Sequence, residues 1–131
     1  EVKRGSSVKT ILKNASWACP EDYLLCAVAK MNYAYKNTPN EHAIYDLGQA
    51  VSYLTIQATE MDLYLHQMGG FSQEIARKNL NLPDDFLPVA MIAMGFKGSL
   101  DRIPEEYQKI ENNERIRNTV DSFAFQGVWK K

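Results

Sequence analysis

Two adjacent glycines, Gly69 and Gly70, sit in the stretch LYLHQMGGFSQE (63–74), between a brief apolar alternation and an amphipathic segment. Paired glycines free the main chain in two ways. They permit a tight turn, and they clear side chains from the path of a flat or anionic group that must lie against the backbone. By residue type alone the turn is the simpler reading. Arg115 and Arg117 are spaced i, i+2, so their guanidiniums share a side only where the segment is not helical. The bland alternative is a solvated charged tail. His66 could move a proton, although a lone histidine in an apolar alternation is more simply a packed, hydrogen-bonded residue; His42 reads as surface. Asp84-Asp85 and Glu105-Glu106 are adjacent carboxylates in polar loops. Cys19 and Cys26 are too few for a disulfide scaffold and match no zinc spacing. No nucleophile triad, acid–base pair or metal cluster stands out, and no side chain is singled out as catalytic.

Composition narrows the partners. The 131 residues carry a formal net charge of −1, which gives no bulk attraction to nucleic acid or to an anionic membrane. No apolar run approaches the roughly 18–20 residues needed to span a bilayer, and no signal peptide opens the chain. With few cysteines, the expectation is a reduced, cytoplasmic setting. The length suits a single domain over residues 1–131. The chain starts at Glu1 without an initiator methionine, as a fragment or processed chain would.

The elements that must position these groups follow from periodicity. Val8, Ile11, Leu12 and Ala15 predict a short helix over 7–16, leaving through Pro20. YLLCAVAK (23–30) is apolar on both faces and predicts a covered strand. Thr38-Pro39-Asn40-Glu41 carries a capping-box pattern with proline at the first helical position, which predicts a helix from there to about Met61. Ala43, Leu47, Ala50, Leu54, Ala58 and Met61 recur at helical spacing, and Ile44, Val51 and Thr55 widen the stripe beyond what a lone surface helix needs. Gly48 inside that helix costs about 1 kcal/mol against alanine, which close packing or a ligand would offset. Asp46 and Gln49 read as structural hydrogen-bonding groups. Tyr33, Tyr35, Tyr45, Tyr53 and Tyr64 read as core and interface, and Met61, Met68, Met91 and Met94 as packing.

Downstream, residues 63–66 suggest an extended exit. Ser72 should cap a helix over 73–80, with Phe71 stapled toward Ala76. VAMIAMGF (89–96) predicts a second buried strand, and Pro104 opens another short helix. Phe123, Phe125, Val128 and Trp129 anchor the tail. The alternation of elements gives an α+β chain.

Four segments then fall into a pattern: ASWACPEDYLLCAVA (15–29), YDLGQAVSYLTIQATEMDLYLHQMGGFS (45–72), LPVAMIAMGFKG (87–98) and ERIRNTVDSFAFQGVW (114–129). Together they resemble the nitroreductase family of FMN-dependent oxidoreductases, from about residue 8 to the end. The resemblance implies an α+β sandwich with helices packed on a mainly antiparallel sheet, its N-terminal part absent. It also implies a homodimer built through long helices, with FMN at the interface and tails reaching across. NADH or NADPH would reduce the flavin, which would pass hydride to a nitroaromatic, quinone or similar small-molecule acceptor. Gly69 and Gly70 match the backbone that runs beside the isoalloxazine ring, where a main-chain N–H can bond flavin N5. Arg115 and Arg117 match the basic pair that holds the FMN phosphate. The chemistry belongs to the cofactor, and two guanidinium forks suit a phosphate dianion.

The chain departs from that pattern in two respects. The family's opening Arg-Arg-Ser-x-Arg segment and its Asn-x-Gln-Pro-Trp stretch do not occur, so about half of a flavin site is present. Asp62 stands where the family usually has glycine. The alternative expectation is therefore a non-catalytic or fragmentary nitroreductase-like module for dimerisation or flavin binding.

Overall fold

The computed structural model describes residues 23–128. The helix expected over 7–16, its exit through Pro20, Cys19 and Trp129 lie outside the described residues. The chain divides into two compact units, one ending at Gly98 and the other beginning at Ser99.

In the first unit three strands form an antiparallel sheet: β1 (Tyr23–Lys30), β2 (Leu63–Met68) and β3 (Phe86–Phe96), in the spatial order β1-β3-β2. β3 is central because it is apolar on both faces: Met91, Ile92 and Ala93 are consecutive and all buried. On one face Met68, Met91 and Ala93 gather with Ala76, while Leu24, Cys26, Phe71 and Ile75 pack around them. On the other face Ile92, Leu25 and Ala27 look toward Leu47, Val51 and Leu54 of a long helix, across a cavity of about 330 Å³.

β3 starts three residues earlier than its apolar run suggests and passes through Pro88. A proline cannot donate to a ladder, so it sits in a strand only at an edge or an irregularity. Here the pairing slips between Ala27↔Ala90 and Val28↔Pro88, leaving Val89 as the extra residue of a bulge. The Pro88 carbonyl then accepts from Gln73 Nε2 at 2.9 Å.

The long helix α1 spans Ala43–Glu60, not the expected Pro39 start. Tertiary pairing overrides the capping box. Asn32 bridges to Pro39, Tyr33 N–H donates to Thr38 O at 2.8 Å, and Asn40 N–H donates to Met31 O at 2.7 Å. That extended pairing holds Thr38 and Pro39 out of helical geometry, and Asn37 closes the turn with φ 50°. Asn40 Oδ1 instead accepts from His42 N–H at 3.2 Å. At the other end Met61 and Asp62 donate to Ala58 O and Thr59 O, and Asp62 takes φ 58° to release the chain into β2. The α1 hydroxyls are satisfied internally: Ser52, Thr55 and Thr59 each donate to the carbonyl four residues earlier at 2.8 Å.

Residues 63–66 are more than an exit, because β2 pairs with β3 from Leu63↔Phe96 to Met68↔Met91. Helix α2, Gln73–Asn79, begins as expected. Ser72 Oγ accepts from Ile75 N–H at 3.3 Å, and Phe71 packs on the cluster containing Ala76.

Several side chains expected inside lie outside. Tyr35, Tyr45, Tyr53 and Tyr64 are exposed, so the tyrosines do not build the core of this chain. Asp46 and Gln49 are exposed and need no buried partner. Met68 and Met91 are packed as expected, whereas Met61 is exposed. For Tyr45, Asp46, Gln49 and Tyr53 the reason is geometric: they lie on the side of α1 turned away from the sheet of its own unit.

The second unit holds a 3-10 turn at Leu100–Arg102, helix α3 at Glu105–Glu111 and a 3-10 turn at Val120–Ser122. Pro104 precedes α3 as expected. Glu105 and Lys109 pair at 3.6 Å on its exposed face, a contact worth about 0.3–0.5 kcal/mol. No residue from Ser99 to Val128 is buried. Phe123 and Val128, expected as anchors, are exposed and Phe125 is half-buried.

Candidate functional site

Gly69 and Gly70 bridge β2 and α2. The buried Met68 fixes one end of the bridge; Phe71 and the Ser72 cap fix the other. Phe71 N–H donates to Gly69 O at 3.0 Å, closing a three-residue turn centred on Gly70. Neither glycine lies in the left-handed region, and among the described residues no atom stands within 4 Å of where a Cβ would be at either position. An inverse γ-turn of this kind accepts most residues. The local conformation therefore does not require glycine, and neither does packing among the described residues. What the pair provides is exposed main chain without side chains, between a strand and a helix.

Arg115 and Arg117 lie in residues 113–119 of the second unit. That segment has no helical residue, which is the condition for an i, i+2 pair to act together. Both are exposed. Arg117 Nη1 donates to the Ile116 carbonyl at 2.8 Å, and among the described residues neither guanidinium has a carboxylate partner. The glycine pair and the arginine pair thus belong to different units, and the contacts within each unit do not bring them together.

His66 is exposed on β2 and not packed as expected, although it is not without an interaction partner. Among the described residues no group of three or more His, Cys, Asp or Glu side chains could hold a metal ion. Cys26 is a half-buried free thiol whose pKa is raised by desolvation, so it is a poor nucleophile at neutral pH. No described helix is long and apolar enough to cross a membrane.

Residue-type reasoning gave α1 an apolar stripe wider than a lone surface helix needs. Ile44, Tyr45, Gly48, Gln49, Ser52, Tyr53 and Ile56 line an open groove on its outer face. The available signal was charge: in eighteen residues α1 carries only Asp46 and Glu60.

This architecture, two helices laid on opposite faces of an antiparallel sheet whose edge strand ends in a glycine bridge, is the nitroreductase fold. An FMN-containing oxidoreductase superposes with a TM-score of 0.84 at 23% identity, covering 95% of this chain and 64% of its own. A nitroreductase family protein from Clostridium difficile 630 gives 0.64 at 17% identity, with 96% and 71% covered. Another, from Clostridium novyi NT, gives 0.57 at 19% identity, with 73% and 57% covered. In sequence, the chain is 32% identical over 88 residues to an uncharacterized 15.4 kDa protein in the ask 5′ region of Mycolicibacterium smegmatis, covering 67% of this chain and 59% of that protein. No family model matches the chain. The chain spans about three-fifths of the length of that relative and of the FMN-containing structure.

Proposed function

We propose that the chain is the flavin-contacting part of an FMN-dependent oxidoreductase that works as a homodimer. Reducing equivalents from NADH or NADPH would pass to a nitroaromatic, a quinone or a similar small acceptor. The observation that carries the reading is the glycine bridge. It is an exposed stretch of peptide with no side chain and with no described atom within 4 Å of either Cβ position, in a fold shared with an FMN-containing oxidoreductase.

In this reading Gly69 and Gly70 lie along the isoalloxazine, offering main-chain N–H groups to its ring nitrogen and no side chain in its path. Arg115 and Arg117 neutralise the phosphate through charge-assisted hydrogen bonds. Their lack of carboxylate partners among the described residues leaves both forks available. Bound FMN would supply the hydride chemistry; the chain's residues bind and orient. A second chain would cover the apolar surface that one copy leaves open, including the unburied second unit.

The test is FMN titration by fluorescence quenching, together with Gly70→Val. A Cβ at Gly70 meets no described atom within 4 Å, so the apo fold should melt close to wild type while FMN binding falls at least tenfold. A chain that takes up no FMN, or a Gly70→Val variant that binds it as tightly as wild type, refutes the assignment. Bleaching of the bound flavin by NADH or NADPH then separates an enzyme from a flavin-storage protein.

A further inference from the structure

Helix α2 carries the glycine bridge at its N-terminal end, yet apolar packing does little to fix where that end lies. Of its seven residues only Ala76 is buried, with Ile75 partly covered beside it. An alanine buries little apolar area, so contact with the sheet resists a shift of α2 only weakly. Two directional bonds supply what packing lacks. Gln73 Nε2 donates to the Pro88 carbonyl at 2.9 Å, and Arg77 Nη1 donates to the Pro83 carbonyl at 2.6 Å. The donors are spaced i, i+4, so they leave the same side of α2. Their acceptors are unequal. Pro83 lies in the loop before β3, whereas Pro88 is fully buried inside β3 and paired with Val28 across the bulge. β2 pairs with β3 only as far as Met91, so Gln73 takes a main-chain acceptor that no β2 residue reaches.

We propose that Gln73 is a positioning residue for the bridge. Its side-chain amide, held on the Pro88 carbonyl of the central strand, sets where Gly69 and Gly70 present their main chain. The inference rests on the flavin reading above and adds a residue that reading does not contain. Gln73 acts through the bridge and not on the flavin itself. The path is short, because only Phe71 and Ser72 separate Gln73 from Gly70, and both are tied. Phe71 N–H donates to Gly69 O at 3.0 Å, and Ser72 Oγ accepts from Ile75 N–H at 3.3 Å. A displacement of the first turn of α2 therefore carries the bridge with it. A main-chain N–H bonds a ring nitrogen only over about 2.7–3.2 Å, so a shift of about 1 Å at the bridge is enough to lose that bond. Arg77 offers an internal comparison: it makes the same kind of bond from the same helix, one turn further from the bridge and to a loop carbonyl.

The experiment compares Gln73→Met with Arg77→Met in the full chain. Methionine keeps an unbranched stem and removes the donor. In the flavin-free protein, amide hydrogen exchange at Phe71 should quicken by about tenfold in Gln73→Met, the loss of one hydrogen bond's worth of local order. Arg77→Met should leave that amide within about twofold of wild type. FMN titration should show affinity reduced about three- to tenfold by Gln73→Met and unchanged by Arg77→Met. In a Gly70→Val background Gln73→Met should weaken FMN binding no further, because an effect exerted through the bridge is not additive with loss of the bridge contact. Unchanged Phe71 exchange in Gln73→Met, equal loss of FMN affinity in both methionine variants, or full additivity with Gly70→Val overturns the proposal and leaves Gln73 as a merely structural residue. The two readings fail differently. A wild type that takes up no FMN sinks the flavin assignment and this role together. A wild type that binds FMN, with Gln73→Met binding it as tightly, sinks the positioning role alone.

Discussion

Asp62 stands at the exit of α1 with φ 58°, and its substitution tests the fold at the point that aims the glycine bridge. A left-handed residue other than glycine costs about 1–2 kcal/mol, with aspartate toward the low end. A second penalty is electrostatic. Asp62 follows the last turn of α1, which contains no basic residue, so its carboxylate faces the negative end of the helix dipole. At an exposed position that is worth about 0.3–1 kcal/mol. Asp62→Gly relieves both, less about 0.5–1 kcal/mol for the extra freedom of glycine in the unfolded chain. The net expectation is a gain near 1 kcal/mol, or about 3–4 °C in Tm for a chain of this size. Asp62→Asn removes the charge but keeps a side chain that tolerates the left-handed region, so it should gain a few tenths of a kcal/mol. Asp62→Val should lose about 1–2 kcal/mol, because a β-branched residue fits that region badly. Thermal and urea melts followed by circular dichroism give the order: Gly above Asn above wild type above Val. Equal melting of the Gly and Val variants would show that the chain does not leave α1 through a left-handed residue, and the account of how the bridge is aimed would fail with it.

Arg117→Ala should weaken FMN binding by about 1.5–3 kcal/mol, the loss of one charge-assisted contact, with little change in melting because the side chain is exposed; unchanged affinity by fluorescence titration would remove the phosphate assignment. Ser72→Ala deletes the cap on Ile75 N–H and should cost about 1 kcal/mol in a urea melt, with Ser72→Asp close to wild type. Ile92→Ala empties the central strand at a residue only 1% exposed and should cost about 2–5 kcal/mol; a smaller loss would mean that the sheet face under α1 is not packed. Cys26 holds its proton above the ordinary value of 9.0 because burial disfavours the thiolate. Its contribution to stability is therefore complete below the unfolded value and lost as pH rises through the folded one. The melting temperature should fall in alkaline buffer above about pH 9, and less so for Cys26→Ala.

The residues alone specified those parts whose partners lie nearby in the chain. β1 could be read from a run free of glycine and proline, and the start of α2 from Ser72 with Phe71 beside it, because a cap and a staple are local bonds. That residues 89–96 form a buried strand followed from a run too hydrophobic to face water on either side; the antiparallel sheet was implied by the family resemblance, and the pairing bears it out. The resemblance to the nitroreductase family rested on four segments, above all the long helix with its His-Gln-Met-Gly-Gly-Phe exit, and the superposed structures share that fold.

Other features needed the folded chain. The start of α1 moved from Pro39 to Ala43 because Asn32, Tyr33 and Met31 claimed residues 38–40 for extended pairing, which no local rule weighs. Pro88 entered the central strand only because a bulge at Val89 excused its missing donor. Apolarity marked the tyrosines of α1 for burial, but a helix has one side toward its own sheet, and Tyr45 and Tyr53 are on the other. Composition can thus tell that a surface is made to be covered; only the packing of α1 against β1 and β2 decides which surface this chain leaves over.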